Sequence, residues 1–249
     1  MAKKEVIDFS PCENNKVKYK HTDLIKLEPR NKNQHKFSQY YYDQNIPLIF
    51  LNGYAGTGKT FLALHAALTQ VLDESTHYER VLIVRSAVES GQSQGFLPGD
   101  MDDKNAPYEL PYKMLLREDL FKEENPLHFH QLKMLGKIDF GTVNYLRGIT
   151  LKNTVIIVEE IQNMDYQELH TIITRFGNGS RLILTGDIRQ DDLERKRKKS
   201  GLPHLLDVLN NMPYEYHKIV DFEKGDIVRD ELVKQFIISD YDTEDKSKK

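Results

Sequence analysis

One eight-residue stretch limits the possible folds of this chain more than any other part of its sequence. Residues 53–60 match the pattern G-x-x-x-x-G-K-[ST], as Gly53, Tyr54, Ala55, Gly56, Thr57, Gly58, Lys59 and Thr60. An apolar run at 46–51 precedes the stretch, and residues 61–68 follow it with the spacing of a helix that is buried on one face. A strand, a glycine-rich loop and a helix in this order predict a phosphate-binding loop, or P-loop, in an α/β protein.

The residues of the P-loop predict a bound nucleoside triphosphate and a Mg²⁺ ion. Glycines allow backbone N–H groups to turn inward around the β- and γ-phosphates, and the helix N-terminus contributes its positive end. We expect Lys59 to reach the β- and γ-phosphate oxygens and Thr60 to bind Mg²⁺. Phe61, the next residue, completes the predicted nucleotide-contacting set. An ordinary glycine turn is the alternative, and the flanking strand and helix argue against it.

Length and composition favour one large soluble domain. The chain has 249 residues, of which 39% are hydrophobic and 29% are charged, and no apolar run approaches the ~20 residues that span a bilayer. The first residues lack the apolar stretch of a signal peptide, so we expect a cytoplasmic protein without a membrane partner. Cys12 is the only cysteine, which excludes an internal disulfide. The net charge of −3 means that nucleic-acid binding would depend on local basic patches.

Apolar runs rich in β-branched residues alternate with stretches of helical or loop character. The runs predict strands at 48–52, 80–84, 139–143, 154–159, 181–185 and 215–220. This alternation predicts a mostly parallel sheet with helices on both faces, and such sheets bind ligands at the carboxyl ends of their strands. We expect one domain at 34–240 between an irregular segment at 1–33 and a charged tail at 241–249, with both ends mobile or loosely packed.

Two acidic residues end a predicted buried strand downstream of the P-loop. Glu159 and Glu160 follow the apolar residues 155–158. At such a strand end, one carboxylate can hold Mg²⁺ through water while the next polarises the attacking water. We therefore predict Glu159 as a metal ligand and Glu160 as a catalytic group, which implies hydrolysis rather than transfer to a small molecule. Solvated surface charge is the alternative for such a pair.

The predicted strand at 181–185 leads into a polar turn. Thr185, Asp187 and Gln190 are expected to lie beside the γ-phosphate, where hydrogen bonds can sense its presence and Gln190 can assist catalysis. An ordinary strand-to-loop turn is the alternative, because Gly186 followed by Asp187 is typical of turns.

Together these motifs resemble the PhoH-like ATPases, which are related to the first RecA-like domain of superfamily 1 helicases. The P-loop, residues 158–163 and residues 184–190 occur in that family's order, and a Gly-Phe-Leu-Pro-Gly turn lies at 95–99. The resemblance covers roughly residues 30–240, and generic P-loop proteins lack the turn.

Three positions depart from the family pattern. Glu159, Ile161 and Ile149 stand where the family usually has aspartate, alanine and arginine. The extra methylene of Glu159 still allows it to reach the water shell of a metal, so we expect Mg²⁺ binding with altered geometry. We interpret the chain as a divergent member, and a viral source is one hypothesis.

The resemblance implies ATP and Mg²⁺ as cofactors and two further site residues. Gln34 stands where related helicases use a glutamine to bind the adenine edge; a surface glutamine is the alternative. Arg229 aligns with an arginine of the family and is expected to act as an arginine finger, supplied by a neighbouring subunit if the protein forms a ring. A structural salt bridge is the alternative for Arg229. The resemblance also implies RNA or single-stranded nucleic acid as a partner, and a homo-oligomer such as a hexamer.

Several other segments have weaker signals. The basic run at 195–199 can contact nucleic-acid phosphates or remain a solvated charged face. The consecutive aromatics Tyr40, Tyr41 and Tyr42 are expected in the core rather than stacked on bases. His128 and His130 have no acidic or cysteine companion at ligand spacing, so we expect no metal there.

Two rival functions remain after the sequence analysis. The first is a P-loop kinase that phosphorylates a small molecule, which a phosphorylated product would reveal. The second is a nucleotide-gated scaffold that binds ATP with negligible turnover, and the replacement of the usual aspartate by Glu159 keeps this hypothesis open.

Overall fold

A computed structural model describes residues 18–86, 101–189 and 199–247 of the chain. Within these ranges the strands are β1 Leu48–Gly53, β2 Arg80–Arg85, β3 Ile138–Thr142, β4 Thr154–Glu159, β5 Arg181–Gly186 and β6 His217–Phe222. The α-helices are α1 Lys32–Tyr42, α2 Lys59–Val71, α3 Met101–Met114, α4 His128–Met134, α5 Tyr166–Ile173, α6 Leu202–Asn211 and α7 Glu231–Ser247. Among these helices, none combines the length and the apolar character needed to cross a lipid bilayer.

The strands form one parallel sheet in the order β3-β2-β4-β5-β1-β6. Parallel pairing brings all the carboxyl ends to the same edge, where ligands bind in such sheets. One strand, β5, separates β1, which carries the P-loop, from β4, which ends in the acidic pair. The predicted α/β fold with a RecA-like parallel sheet is confirmed.

Alternate residues of the central strands supply two separate apolar cores. Ile49 and Ile183 belong to the core that packs against α1, α2 and α4. Phe50 and Leu184 belong to the core on the opposite face, which includes residues of α5 and α6. Because both faces of β1, β4 and β5 are buried, their sequences are nearly continuous in apolar residues instead of alternating.

The predicted strands lie within one or two residues of the observed ones. The largest shift is at β6, which begins at His217 rather than at residue 215. Tyr214–Tyr216 form a 3-10 turn immediately after Pro213, and this turn delays the start of the strand. Element ends are set by such local turns, which the hydrophobic pattern does not reveal.

The expectation of loosely packed ends is wrong for the described parts of both segments. In the amino-terminal segment, Leu24 is buried, and the His21 N–H donates to the Leu72 carbonyl at 3.2 Å. At the other end, α7 continues through Ser247, and Tyr241 is only 3% exposed. Leu24 belongs to the core that includes α2, and Tyr241 packs against Tyr54 of the P-loop.

The aromatic and histidine segments have packing roles. Tyr41 lies in the core as expected, and Tyr40 packs against that core, whereas Tyr42 is half exposed. His128 is buried, with one ring nitrogen 2.8 Å from the Tyr19 hydroxyl and the other 2.8 Å from the Glu123 carbonyl. The Gly-Phe-Leu-Pro-Gly turn, Cys12 and most of the basic run at 195–199 lie outside the described residues.

Candidate nucleotide-binding site

The P-loop connects β1 to α2 in a conformation that requires glycine at specific positions. Gly53 has φ 126°, and a side chain there would collide with the Phe222 carbonyl on neighbouring β6. Gly56 has φ 76°, and a β-carbon there would lie 2.9 Å from Cγ of Arg229. Both positions therefore combine a left-handed backbone with a close approach that only glycine permits.

Lys59 is the first residue of α2 and points back over the loop. Its Nζ donates hydrogen bonds to the Gly53 carbonyl at 2.6 Å and to the Tyr54 carbonyl at 2.8 Å. Burial lowers the pKa of Lys59 below its usual range, while the carboxylates of Asp187, Glu160 and Glu159 act in the opposite direction. The ammonium group is thus held at the helix N-terminus with three acidic groups around it, as in a site for an anionic ligand and its cation.

Thr60 and Glu159 join the P-loop to the acidic strand. The Thr60 hydroxyl donates to Glu159 Oε2 at 2.7 Å. The Glu159 side chain is 4% exposed, and its Oε1 is buried without a hydrogen-bond partner among the described residues. A hydroxyl beside a carboxylate with a free oxygen supplies the hard oxygen ligands that Mg²⁺ prefers. These residues fit a Mg²⁺ site.

The electrostatic environment of Glu159 reflects its burial. The pKa of this carboxyl is raised to about 7, mainly by burial and in addition by the negative charge of Glu160. The hydroxyls of Thr60 and Thr185 and the positive charge of Arg85 act in the opposite direction. A divalent cation would stabilise the ionised form of such a carboxyl.

Glu160 occupies a strained backbone position at the end of β4. Its φ of 56° and ψ of 45° are left-handed, which is uncommon for a residue other than glycine. Its carboxylate Oε2 accepts a hydrogen bond from the Gln162 side-chain amide at 2.6 Å. The same amide accepts, through Oε1, a hydrogen bond from the Asp187 N–H at 3.2 Å. Gln162 therefore fixes Glu160 relative to the end of β5, a role that the sequence analysis missed.

Asp187 and Thr185 lie at the end of β5, both buried. Asp187 Oδ1 accepts from the Arg189 N–H at 3.0 Å, and its Oδ2 accepts from the Tyr241 hydroxyl. Gln190, which was predicted to assist catalysis, lies outside the described residues. Tyr241 lies in α7, at the start of the segment 241–249 that the sequence analysis assigned to a charged tail, so its presence at the site was not predicted.

A cavity of about 730 Å³ opens beside the P-loop. Its lining includes the segment 25–30, Gly58, Phe61 and Gln34, together with Arg229 from the segment before α7. The Gln34 amide is 4% exposed; it donates to the Thr57 carbonyl at 3.2 Å and accepts from the Arg30 N–H at 2.8 Å. One N–H and one lone pair of this amide remain for a ligand in the cavity.

Arg229 lies against the P-loop of its own chain. The preceding N–H, from Val228, donates to the Gly56 carbonyl at 2.9 Å, which holds this segment on the loop. The ion pairs among the described residues do not include Arg229. This position makes the guanidinium available to the adjacent cavity.

The site residues predicted at the P-loop, β4 and Arg229 therefore come together at one edge of the sheet. Gln34 lines the cavity but is partly engaged by the loop itself. Gln162 and Tyr241 complete the arrangement. Gln162 lies in the segment 158–163 that carries the family resemblance, but the sequence did not reveal its contacts, and Tyr241 belongs to no motif.

Comparisons with known proteins identify similar sequences. The sequence model of a family described as "PhoH-like protein" matches residues 26–242. A PhoH-like protein of Synechocystis sp. (strain ATCC 27184 / PCC 6803 / Kazusa) is 38% identical over 194 residues, which are 78% of this chain and 56% of that protein. A PhoH-like protein of Bacillus subtilis (strain 168) is 36% identical over 195 residues, covering 78% and 58%. The chain thus spans little more than half the length of these curated relatives.

Among solved structures, the crystal structure of Pif1 helicase from Candida albicans matches with a TM-score of 0.36 and 14% sequence identity. The match covers 80% of this chain and 40% of that chain. A TM-score this low does not support a fold assignment. The fold is assigned from the strand order and the P-loop.

Proposed function

The chain belongs to the PhoH-like protein family, and from that premise we propose that it is a Mg²⁺-dependent ATPase that couples hydrolysis to RNA or single-stranded nucleic acid. The hydrogen bond between Thr60 and Glu159 is the observation that carries this proposal. It links a P-loop hydroxyl to a buried carboxylate at the end of β4, and these two groups are the protein ligands expected of Mg²⁺ in an ATPase.

The surrounding residues support a hydrolytic reaction. Mg²⁺ bound with the nucleotide would supply neutralisation of phosphate charge. Lys59 binds the β- and γ-phosphate oxygens, and Arg229 stabilises the charge that grows on the γ-phosphate. Glu160 orients a water and accepts its proton as the oxygen–phosphorus bond forms and the bond to the β-phosphate oxygen breaks, which yields ADP and phosphate. The contact from Gln162 supports this role, because it restricts the direction in which the Glu160 carboxylate points.

The nucleotide base would occupy the cavity beside the loop. Its lining by Gln34 and Phe61 supports adenine as the base, since an amide can donate to and accept from the adenine edge. We infer the coupling to nucleic acid from the family resemblance. Assembly into a ring, for example of six subunits, is inferred on the same basis. The location of Arg229 on its own P-loop favours action within one subunit over supply by a neighbour.

Phosphate release from ATP and Mg²⁺ tests the proposal, measured with and without single-stranded RNA. We expect turnover that RNA stimulates, and we expect Glu160→Gln to reduce it by at least about 100-fold because the water loses its proton acceptor. Glu215→Gln, which changes an exposed carboxyl outside the site, is the matched control and should retain wild-type turnover. Equal turnover in the wild type and Glu160→Gln would contradict the assigned role of Glu160.

The other outcomes identify the rival functions. Turnover that does not change with RNA would support ATP hydrolysis but reject its coupling to nucleic acid. A phosphorylated small molecule as product would indicate a kinase. ATP binding without phosphate release would indicate a nucleotide-gated scaffold. The raised pKa of Glu159 is the observation that favours this second candidate, because a carboxyl with a pKa of about 7 is only partly ionised at neutral pH and Mg²⁺ prefers the ionised form.

A further inference from the structure

The carboxyl-terminal helix α7 forms one wall of the P-loop. Its Tyr241 ring packs against the Tyr54 ring with centroids 4.5 Å apart, and both residues are buried in a small cluster with Ile227. A β-carbon on Gly56 would lie 3.3 Å from Cδ1 of Ile237, one turn earlier in α7. Two positions of the P-loop, Tyr54 and Gly56, are thus in contact with, or close to, α7.

The Tyr241 hydroxyl connects the P-loop to Asp187. It donates to Asp187 Oδ2, and it accepts a hydrogen bond from the Ala55 N–H at 3.4 Å. A phenol can fill both roles at once. Burial and the adjacent Asp187 raise the pKa of Tyr241 above its usual range, so the hydroxyl keeps the proton that it donates.

This contact fixes the orientation of the Asp187 carboxylate. Of the carboxylates around Lys59, Asp187 has the largest effect on the pKa of its ammonium group. Both Asp187 oxygens already accept hydrogen bonds, one from the Arg189 N–H and one from Tyr241. A carboxylate held in this way does not turn to form an ion pair with Lys59. Lys59 therefore keeps its hydrogen bonds to the carbonyls of Gly53 and Tyr54, which a bound phosphate would replace as its partners.

The contact also reduces repulsion of an anionic ligand. A hydrogen bond from a hydroxyl withdraws negative charge from a carboxylate, and in a buried site such charges are screened weakly. Asp187 follows β5 and is linked to the Ala55 N–H of the P-loop through the Tyr241 hydroxyl, and the sequence predicts that Asp187 lies beside the γ-phosphate. A triphosphate therefore meets less repulsion at Asp187 when Tyr241 donates to it.

We propose that Tyr241 is a positioning residue for the triphosphate, whose hydroxyl pins the Asp187 carboxylate away from Lys59 and lowers its repulsion of the γ-phosphate. The proposal rests on the proposed function, since it assumes that the loop binds ATP. It predicts that the hydroxyl contributes to the preference for ATP over ADP, because ADP lacks the phosphate that approaches Asp187.

The test compares the dissociation constants of Mg²⁺-ATP and Mg²⁺-ADP in the full chain by titration calorimetry. Tyr241→Phe keeps the ring against Tyr54 and removes the hydroxyl. We expect ATP binding to weaken about tenfold, in line with the loss of a hydrogen bond to a charged group, and ADP binding to change less than about threefold. Tyr41→Phe is the matched control, because that buried hydroxyl has no hydrogen-bond partner among the described residues. It should leave both constants unchanged.

A rescue experiment separates positioning from simple packing. Asp187→Asn removes the negative charge on which Tyr241 is proposed to act. In the Asp187→Asn background, Tyr241→Phe should change the ratio of the two constants by less than about twofold. The same comparison keeps the proposal testable if Tyr241→Phe alone fails to fold, which thermal melting would show.

Three results would overturn the proposal. The first is a Tyr241→Phe variant with the wild-type preference for ATP; the second is equal weakening of ATP and ADP. The third is an effect of Tyr241→Phe on the ratio of the two dissociation constants that is as large in the Asp187→Asn background as in the wild type. Absence of ATP binding by the wild-type protein would instead reject the proposed function, and with it the assumption that the loop holds a triphosphate.

Discussion

At the scale of single residues, Arg181 shows how one buried charge connects two elements. Its guanidinium, in β5, donates to the Tyr41 carbonyl and, at 3.0 Å, to the Asp43 carbonyl at the carboxyl end of α1. The Tyr41 ring lies 4.8 Å from the guanidinium carbon. The carbonyls at the end of α1, which have no partner within the helix, thus accept hydrogen bonds from Arg181. The positive charge of Arg181 also interacts favourably with the negative end of the helix dipole.

Arg181→Lys should therefore destabilise the domain although it conserves the charge. A lysine ammonium lacks the planar fork that reaches both carbonyls, and the loss of one hydrogen bond from a charged donor costs about 2 kcal/mol. Urea unfolding monitored by circular dichroism measures this change. Arg80→Lys, at the partly exposed first position of β2, is the comparison variant and should change the free energy of unfolding by less than about 0.5 kcal/mol. Equal stability of Arg181→Lys and the wild type would contradict the role assigned to the fork.

Residue contacts were also the least predictable part of the site. The spacing of the P-loop and the acidic pair identified Lys59, Thr60 and Glu159, because each has a fixed place relative to a strand end. Tyr241 has no such signature, and the motif segment 158–163 gave Gln162 no role. Their partners come from other strands or from the end of the chain, and only tertiary packing brings them together.

At the scale of elements, the helix that begins at the P-loop is also anchored by a neutral histidine. His65, in α2, is 6% exposed, and its Nε2 lies 2.8 Å from the Ile25 carbonyl in the segment before α1. Burial lowers the pKa of His65 below its usual value, although the hydrogen bond to Ile25 acts in the opposite direction. The folded protein therefore prefers the uncharged ring.

The stability of the domain should decrease as the pH falls through about 6.5, the ordinary pKa of histidine. Below that value the unfolded chain binds a proton at His65 more readily than the folded protein does, so the free energy of unfolding falls. Urea unfolding at pH 7.5 and 5.5 measures the change. His65→Gln, which keeps a donor for the Ile25 carbonyl, should show a smaller loss between these pH values than the wild type. Equal losses would show that other groups account for the pH dependence.

Elements were predicted well where burial on both faces leaves a clear pattern. The strands β1, β4 and β5 were predicted from continuous apolar runs, because the residues on both faces of these strands are apolar. The last turns of α7 were assigned to a tail because the sequence from 241 onward is mostly charged, and charge at the end of a chain is typical of a tail. Tyr241, together with Ile237 and Ile238, packs that helix against the P-loop region.

At the scale of the whole molecule, the outer surface of α7 has apolar character. Leu232 and Phe236 lie four positions apart and are 83% and 71% exposed. Apolar side chains at this spacing share one helix face. This face supports the proposal of a homo-oligomer, because a contact between subunits would remove it from water.

Light scattering after gel filtration, with Mg²⁺ and ATP present, should give the mass of several subunits, six for a hexameric ring. Phe236→Glu should shift the protein toward the 29.1 kDa monomer, because it introduces a charge into the proposed contact. Met134→Glu changes an equally exposed apolar residue on α4 and is the control. A monomeric wild type at all concentrations would reject the assembly.

The contact between Tyr241 and Ala55 also has a consequence for the order of events during synthesis. These residues are separated by 186 positions, and all strands from β2 to β6 lie between them in the chain. On the ribosome, the loop emerges long before the helix that covers one of its sides. A nascent chain can therefore form β1, the P-loop and α2 early, but the P-loop acquires its contact with α7 only after the sixth strand has been translated.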